Sequence, residues 1–355
     1  MRFALYSYNY APEPTGIAVY NTALCTWLAR HGWSVSVHTG VPFYPHWRVP
    51  EDYRAGGDEL LDGVRVERVR QYVPPEPSAR GRILLDASWL LLTALRSLRA
   101  RSRPQVIMVI APPFLSGVLA AWLRWRWRCP IIYHVQDLQV DAALDLGLLP
   151  RRLARLLLAS ERWVLARMDL VSTISTAMRR RLAAKGPTRR PIALLPNWVT
   201  PERLVLPEGA NRYRAEWGLP ESAILVAYSG SIGRKQGLES LLEACALLRD
   251  HPHLHWLIAG AGPVLDALKE QAARLNLPRL RFVPLAPSER LAEFLGAADL
   301  HCILQRAEAA DLVLPSKLLN VMCVGRPVVA TALPGTELSA LIGLAQCGIE
   351  IRNFF

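Results

Sequence analysis

The chain has 355 residues, half of them hydrophobic and a fifth charged, which excludes disorder and is too long for one ordinary core; two domains are expected. Its formal charge of +12 is one-sided: residues 1–200 carry 27 Lys/Arg against 14 Asp/Glu, nearly all Arg, whereas residues 201–355 are close to neutral. That field suits an anionic membrane surface or a phosphorylated substrate, or it is a set of solvated helix faces; with no nucleic-acid module and no stacking aromatics among the Arg clusters, nucleic acid is not an expected partner.

In chain order, short apolar runs alternate with helical patterns, the signature of parallel α/β layering. Met1 leads straight into a strand over Phe3–Tyr8 without a signal-peptide layout. A loop with Pro12, Pro14 and Gly16 opens a helix from Ile17 to His31, and strands follow at Val35–His38 and Val64–Val69. Ile83 to Leu95 is apolar but contains Asp86 and is too short to cross a bilayer, so a buried or interfacial helix is expected. Val106–Ile110 is a strand ending at Pro112-Pro113. The run Ala121 to Arg128 then alternates Trp with Arg, which suits either a headgroup zone or core packing of one Trp face. Ile131–Val135, Leu170–Ile174 and Ile192–Leu195 complete a first sheet.

Residues 199–222, within a Pro-rich stretch, read as a linker between an N-terminal domain (1–198) and a C-terminal domain (223–355). The pattern then restarts: strands at Ile224–Tyr228, Leu254–Ala259, Arg281–Pro284, Leu300–Leu304 and Pro327–Ala330, with helices from Leu238 and Val264 between them. Two Rossmann-like α/β domains facing a cleft are the expected architecture, with ligand outside the carboxyl ends of the strands. Six Cys without CxxC or CxxH spacing argue for a reducing compartment and against a zinc site; His251, His253 and His255 lack a third ligand and are read as non-metal.

Several loops are suited to phosphate or sugar. Gly16 permits close approach of a ligand, though a tight turn explains it equally well. Ser229 to Gly237 holds three glycines and the cations Arg234 and Lys235 at a helix start, a cradle for a diphosphate without the spacing of a P-loop. Gly260-Ala261-Gly262 is half of a dinucleotide fingerprint and by itself does not separate NAD binding from nucleotide-sugar binding. Ser316 and Lys317 open a helix, an anion-friendly place. His134, with Asp137 three residues on, stands at a strand end where it can orient a sugar hydroxyl or be a satisfied structural histidine.

Taken together, Asn9 to Ile17, His134-Val135-Gln136-Asp137, Pro196-Asn197-Trp198-Val199, Tyr228 to Gly233, Lys235-Gln236-Gly237, Asp311 to Leu318 and Pro334-Gly335-Thr336-Glu337 resemble glycosyltransferase family 4 over essentially the whole chain, in its branch of colanic-acid-type exopolysaccharide transferases. The resemblance implies a GT-B fold and retaining, metal-independent transfer of a sugar from a nucleotide-sugar donor, with no cofactor. It implies a donor held mainly by the second domain, at Ser231, Arg234, Lys235, Gly260, Gly262, Asp311, Ser316, Lys317, Asn320 and Glu337, with Gly16 contributing from the first. Lys235 matches the family's diphosphate-binding lysine, and Ser231 stands where the family has an arginine. His134 matches the cleft histidine near the transferred sugar, with Asp137 beside it as the second catalytic candidate. The acceptor expected is a polyprenyl-diphosphate-linked saccharide at the inner face of the plasma membrane, with the enzyme cytoplasmic and peripheral. Two departures stand out: Asn320 replaces the second of two glutamates, and the chain stops at Phe355, before the family's terminal helix. They motivate the alternative of a truncated, non-catalytic binder; a Rossmann oxidoreductase is the third reading.

Overall fold

The computed structural model describes residues 1–14, 16–76, 78–99, 103–145, 150–306 and 316–351. The chain divides into two compact units, Met1–Pro196 and Asn197–Phe355.

Unit 1 is built on one sheet of β1 (Arg2–Tyr6), β2 (Ser34–Gly40), β3 (Gly57–Leu61), β4 (Val64–Val69), β5 (Val106–Ala111), β6 (Ile131–Val135), β7 (Leu170–Thr173) and β8 (Ala193–Leu194), in the order β3-β4-β2-β1-β5-β6-β7-β8. Neighbours are parallel except the β3–β4 hairpin. The central strands are unbroken apolar runs because helices cover both faces. On one face Trp89, Leu119, Leu123 and Val164 pack on Val109, Ile131 and Tyr133; on the other Cys25 and Leu28 pack on Leu5, Val37 and Ile110. From β1 the chain winds outward through β2 and β4, then returns to the other side of β1 at β5. The β1–β5 junction is therefore the switch point, where the loops leaving the two strands diverge and open a crevice.

The apolar helix expected near residues 83–95 runs over Ala79–Arg99. Leu85, Trp89, Thr93 and Ser97, one helical turn apart, are buried, while Ile83, Leu84, Leu91, Leu95 and Leu98 are exposed. The Trp–Arg run forms the helix Ser116–Trp127 and divides its aromatics: Trp127 is in the core and Trp125 is 73% exposed. Arg124 is committed to a bidentate pair with Asp169 at 2.9 and 3.0 Å. Among the described residues no helix is long and apolar enough to cross a membrane.

Unit 2 carries β9 (Ile224–Ser229), β10 (Leu254–Ala259), β11 (Leu280–Val283), β12 (Leu300–Ile303), β13 (Val328–Thr331) and β14 (Gly348–Ile351), all parallel, in the order β11-β10-β9-β12-β13-β14. Its switch point lies between β9 and β12. Residues 199–222 fold onto this unit: Leu204 and Tyr213 join its core, and Tyr213 meets Phe294 edge to face at 5.4 Å. Arg214 bonds Ala297 O at 2.9 Å and Asp299 at 3.0 Å. Strands β3 and β14 were not anticipated, and neither carries an alternating apolar pattern.

Candidate functional site

At the β9–β12 switch point the loop after β9 is shaped by the loop after β10. Parallel register continues past the sheet: Gly230 N donates to Ala259 O and Ile232 N to Ala261 O, both at 2.9 Å, and Gly260 N donates to Val283 O at 3.0 Å. A Cβ on Gly260, whose φ is +154°, would stand 1.9 Å from Gly230 O, and one on Gly262 would stand 2.1 Å from Ile232 O. The two glycines are thus required by backbone-to-backbone packing, which accounts for the half fingerprint without a dinucleotide. Gly260→Ala is expected to destabilise the protein by about 2–4 kcal/mol through overpacking and backbone strain. Thermal melts would show this.

The β9 loop then turns through one 3₁₀ turn, Arg234–Gln236, closed by Gly233 N donating to Gln236 Oε1 at 3.1 Å. Ser231, Arg234 and Lys235 are exposed on it. Arg306, just past β12, fastens the turn by donating its backbone N–H to Lys235 O at 2.8 Å and pairs with Glu239 at 3.4 Å. Arg234 and Arg306 flank a groove of about 440 Å³ whose wall includes Val264, Leu268 and Gln271. Arg306 was missed from the sequence, since only the fold sets it beside Lys235.

Lys317, in the helix Ser316–Cys323, reaches the start of the same loop. Its Nζ lies 3.8 Å from the Tyr228 ring centroid, and a Cβ on Gly230 would be 3.8 Å from it. Tyr228 holds the loop in turn, its hydroxyl donating to Ser231 O at 2.6 Å. Among the described residues no carboxylate pairs with Lys317, and burial pulls its ammonium down to about 7. Asn320, half-buried, follows one turn later on the same helix face. Glu337, at the first turn of the helix Glu337–Ala345 and beyond β13, is half-buried at the same strand-end side. Asp311 lies outside the described residues, as do Ala310 to Pro315, and of Ser316 only the backbone is described.

In unit 1, Gly16 is the N-cap of the helix Ile17–Arg30 with φ +67°, a conformation that disfavours any side chain. The preceding loop hangs on buried Glu13, which accepts from Asn9 Nδ2 at 2.6 Å and from the Phe43 and Tyr44 N–H groups at 2.9 Å. His134 faces away from the Tyr133 side of the sheet, is 3% exposed, and has Nδ1 2.9 Å from Ser172 Oγ. Desolvation pushes it down to about 4, so the imidazole is neutral at ordinary pH. Asp137, half-buried beyond β6, lines a small cavity of about 40 Å³ with Phe114, Leu138 and Glu161. The structure thus gathers Lys317, Asn320, the Ser231–Lys235 turn and Arg306 at one sheet's carboxyl edge, and His134, Asp137 and Gly16 at the other's.

Residues 15–198 match the model for the glycosyl transferase 4-like domain and residues 210–342 that for glycosyl transferases group 1. The chain is 35% identical to the putative colanic acid biosynthesis glycosyl transferase WcaI of Escherichia coli K12, over 98% of this chain and 88% of that protein. Among solved structures it resembles a sucrose-phosphate synthase of Thermosynechococcus elongatus (TM-score 0.73, 19% identity, 99% and 85% of the two chains). It also resembles HepE of Anabaena, solved with UDP and glucose (TM-score 0.66, 16% identity, 96% and 83%). With family models over both units and a relative aligned over 98% of this chain, the chain belongs to the group 1 and 4-like glycosyltransferases and is an enzyme of the GT-B fold.

Proposed function

We propose that the protein transfers a sugar from a nucleotide-sugar donor to a lipid-linked saccharide, with retention of configuration and without a metal ion, in synthesis of a cell-surface polysaccharide. One observation carries the donor assignment: the Lys317 ammonium sits desolvated beside the Gly230 loop with no carboxylate among the described residues. A diphosphate is the partner that such a cation and a glycine loop accept together. HepE, whose fold this chain shares, was solved with UDP and glucose, and WcaI is named for colanic acid synthesis; both support the reading.

In this reading the chemistry is electrostatic. As the C1–O bond of the donor sugar breaks, its electron pair passes to the diphosphate, and Lys317, Arg234, Lys235 and Arg306 supply the countercharge that a divalent ion supplies elsewhere. The acceptor hydroxyl oxygen bonds C1 on the same face and gives its proton to the departing phosphate oxygen. His134, neutral, hydrogen-bonds the transferred sugar, and Asn320 bonds ribose without charge.

Unit 1 supports a lipid-linked acceptor. The adjoining helices Ala79–Arg99, Ser116–Trp127 and Arg151–Leu165 leave Leu91, Leu95, Trp125, Leu156 and Trp163 exposed, with Arg80, Arg99, Arg128, Arg152 and Arg155 exposed around them. Amphipathic rings and cations of this kind settle on the anionic cytoplasmic leaflet. The decisive assay offers UDP-, GDP- and dTDP-sugars with a polyprenyl-diphosphate sugar in vesicles and reads products by mass spectrometry. One donor is expected to turn over, faster in phosphatidylglycerol than in phosphatidylcholine vesicles. No turnover together with no nucleotide binding overturns the reading.

A further inference from the structure

Unit 1 holds a second group of side chains that the donor chemistry does not use. Tyr8 lies two residues past β1, Phe43 and Trp47 lie past β2, and Arg82, Asp86 and Trp89 stand at i, i+4 and i+7 on the helix Ala79–Arg99. All three segments meet at the carboxyl edge of the sheet, next to the β1–β5 switch point. Tyr8 packs on Trp89 at 6.1 Å and on Phe43 at 5.8 Å. Phe43 packs on Trp47 at 5.4 Å, and the Arg82 guanidinium lies 5.3 Å from the Trp47 ring centroid. The chain is a continuous aromatic wall from the core to the surface. It is fixed from behind, because the Phe43 and Tyr44 N–H groups are held by the same Glu13 that shapes the Gly16 loop.

Three features of this wall are unexplained by folding alone. Trp47 is half-exposed with φ +54°, a left-handed conformation that a bulky side chain rarely adopts and that clusters at functional positions. Among the described residues, half-buried Asp86 makes no hydrogen bond or ion pair, and the Tyr8 hydroxyl beside it has no hydrogen-bond partner. Leaving a shielded carboxylate unpaired is costly unless something else completes it. Burial pushes the Asp86 carboxyl up to about 7, against the pull of Arg82. Nothing in the core needs an acid at this place.

We propose that Tyr8, Trp47 and Asp86 form a carbohydrate subsite of unit 1, in which a sugar ring lies on Trp47 and gives hydroxyl hydrogen bonds to Asp86 and the Tyr8 hydroxyl. Apolar ring faces with a few convergent polar groups are what a pyranose needs, as its C–H face is apolar and its rim carries donors. The subsite adjoins the Gly16 loop through Glu13, so the ligand is the saccharide of the acceptor. That identification rests on the transferase reading above; the subsite itself does not. Asp86 binds and positions the acceptor sugar and takes no part in bond cleavage.

The test separates the two. Saturation-transfer NMR with methyl glycosides of glucose, galactose, mannose, fucose and glucuronic acid is run on the wild type, on Asp86→Asn and on Trp47→Leu. At least one glycoside is expected to receive saturation, and its dissociation constant is expected to rise about tenfold in Asp86→Asn, the loss of hydrogen bonds to a charged group. Unchanged thermal melts and unchanged calorimetric binding of UDP or GDP confirm that each variant is folded. Where a transfer assay is in hand, Asp86→Asn raises the acceptor KM and leaves the donor KM alone. The subsite is overturned if no glycoside binds the wild type, or if binding survives both substitutions. A wild type that binds glycosides but neither nucleotides nor nucleotide sugars would overturn the transferase reading and leave the subsite standing.

Discussion

Lys317→Met is expected to raise the melting temperature of the ligand-free protein by a few degrees while weakening binding of a nucleoside diphosphate about a hundredfold. Both effects come from one ammonium seated on the Tyr228 ring beside Gly230. Methionine keeps most of the stem packing and removes a charge that burial disfavours. The sign follows from linkage: the folded-state pKa is depressed from 10.5 to about 7, so between those values the unfolded chain holds more protons than the folded one. Stability of the ligand-free wild type should therefore rise with pH across that window, and the methionine variant should lose this slope. Binding a diphosphate restores the proton to Lys317. Calorimetry near pH 8 in buffers of different ionisation enthalpy should report proton uptake, with affinity falling as pH rises. Among the described residues the groups around the ammonium are Tyr228, Cys302, His301 and the Gly230 backbone; burial holds the phenol and the thiol above this range and pushes the His301 imidazole down, away from it. An unchanged dissociation constant in Lys317→Met would refute the donor assignment.

Replacing His134 by alanine should lower kcat about a hundredfold with little change in donor affinity, the size typical of a lost positioned hydrogen-bonding group. Because the ring is pushed down to about 4, it carries no charge in the working range. The pH profile of kcat should accordingly keep its shape in the variant and lose only height. A limb near pH 6.5 that vanishes with the histidine would contradict a neutral role. The same depression makes the folded wild type less stable as pH falls from 6.5 towards 4, since only the unfolded chain takes up the proton there. His134→Asn, which can still bond Ser172, tests whether the loss is catalytic rather than a collapse of the pocket.

The alternation of apolar runs made the two sheets legible, because strands such as Val106–Ala111 are buried on both faces and leave no other pattern. Gly57–Leu61 and Gly348–Ile351 were not legible: both lie at a sheet edge, expose most of their side chains and carry glycine where a strand pattern would show a branched residue. The Pro-rich stretch 199–222 read as a tether, whereas Tyr213 and Leu204 are buried against residues some 80 positions later, a contact no local pattern encodes. At the site, the glycine loop and Lys317 could be named from spacing. The meaning of Gly260 and Gly262 could not, since the carbonyls they avoid belong to a loop 30 residues earlier. For the same reason Arg306 and the Tyr8–Trp47–Asp86 wall escaped sequence reading: each joins segments remote along the chain.

The way one loop moulds the next has a consequence for how donor preference can change. The backbone path of Gly230–Ile232 is cast by Ala259–Gly262, so its amides keep their aim when the exposed Ser231 side chain changes. In the proposed donor site, side-chain variation at Ser231 should then retune which sugar nucleotide is favoured without costing the backbone anchor, because the mould lies in a neighbouring stretch that such variation leaves untouched.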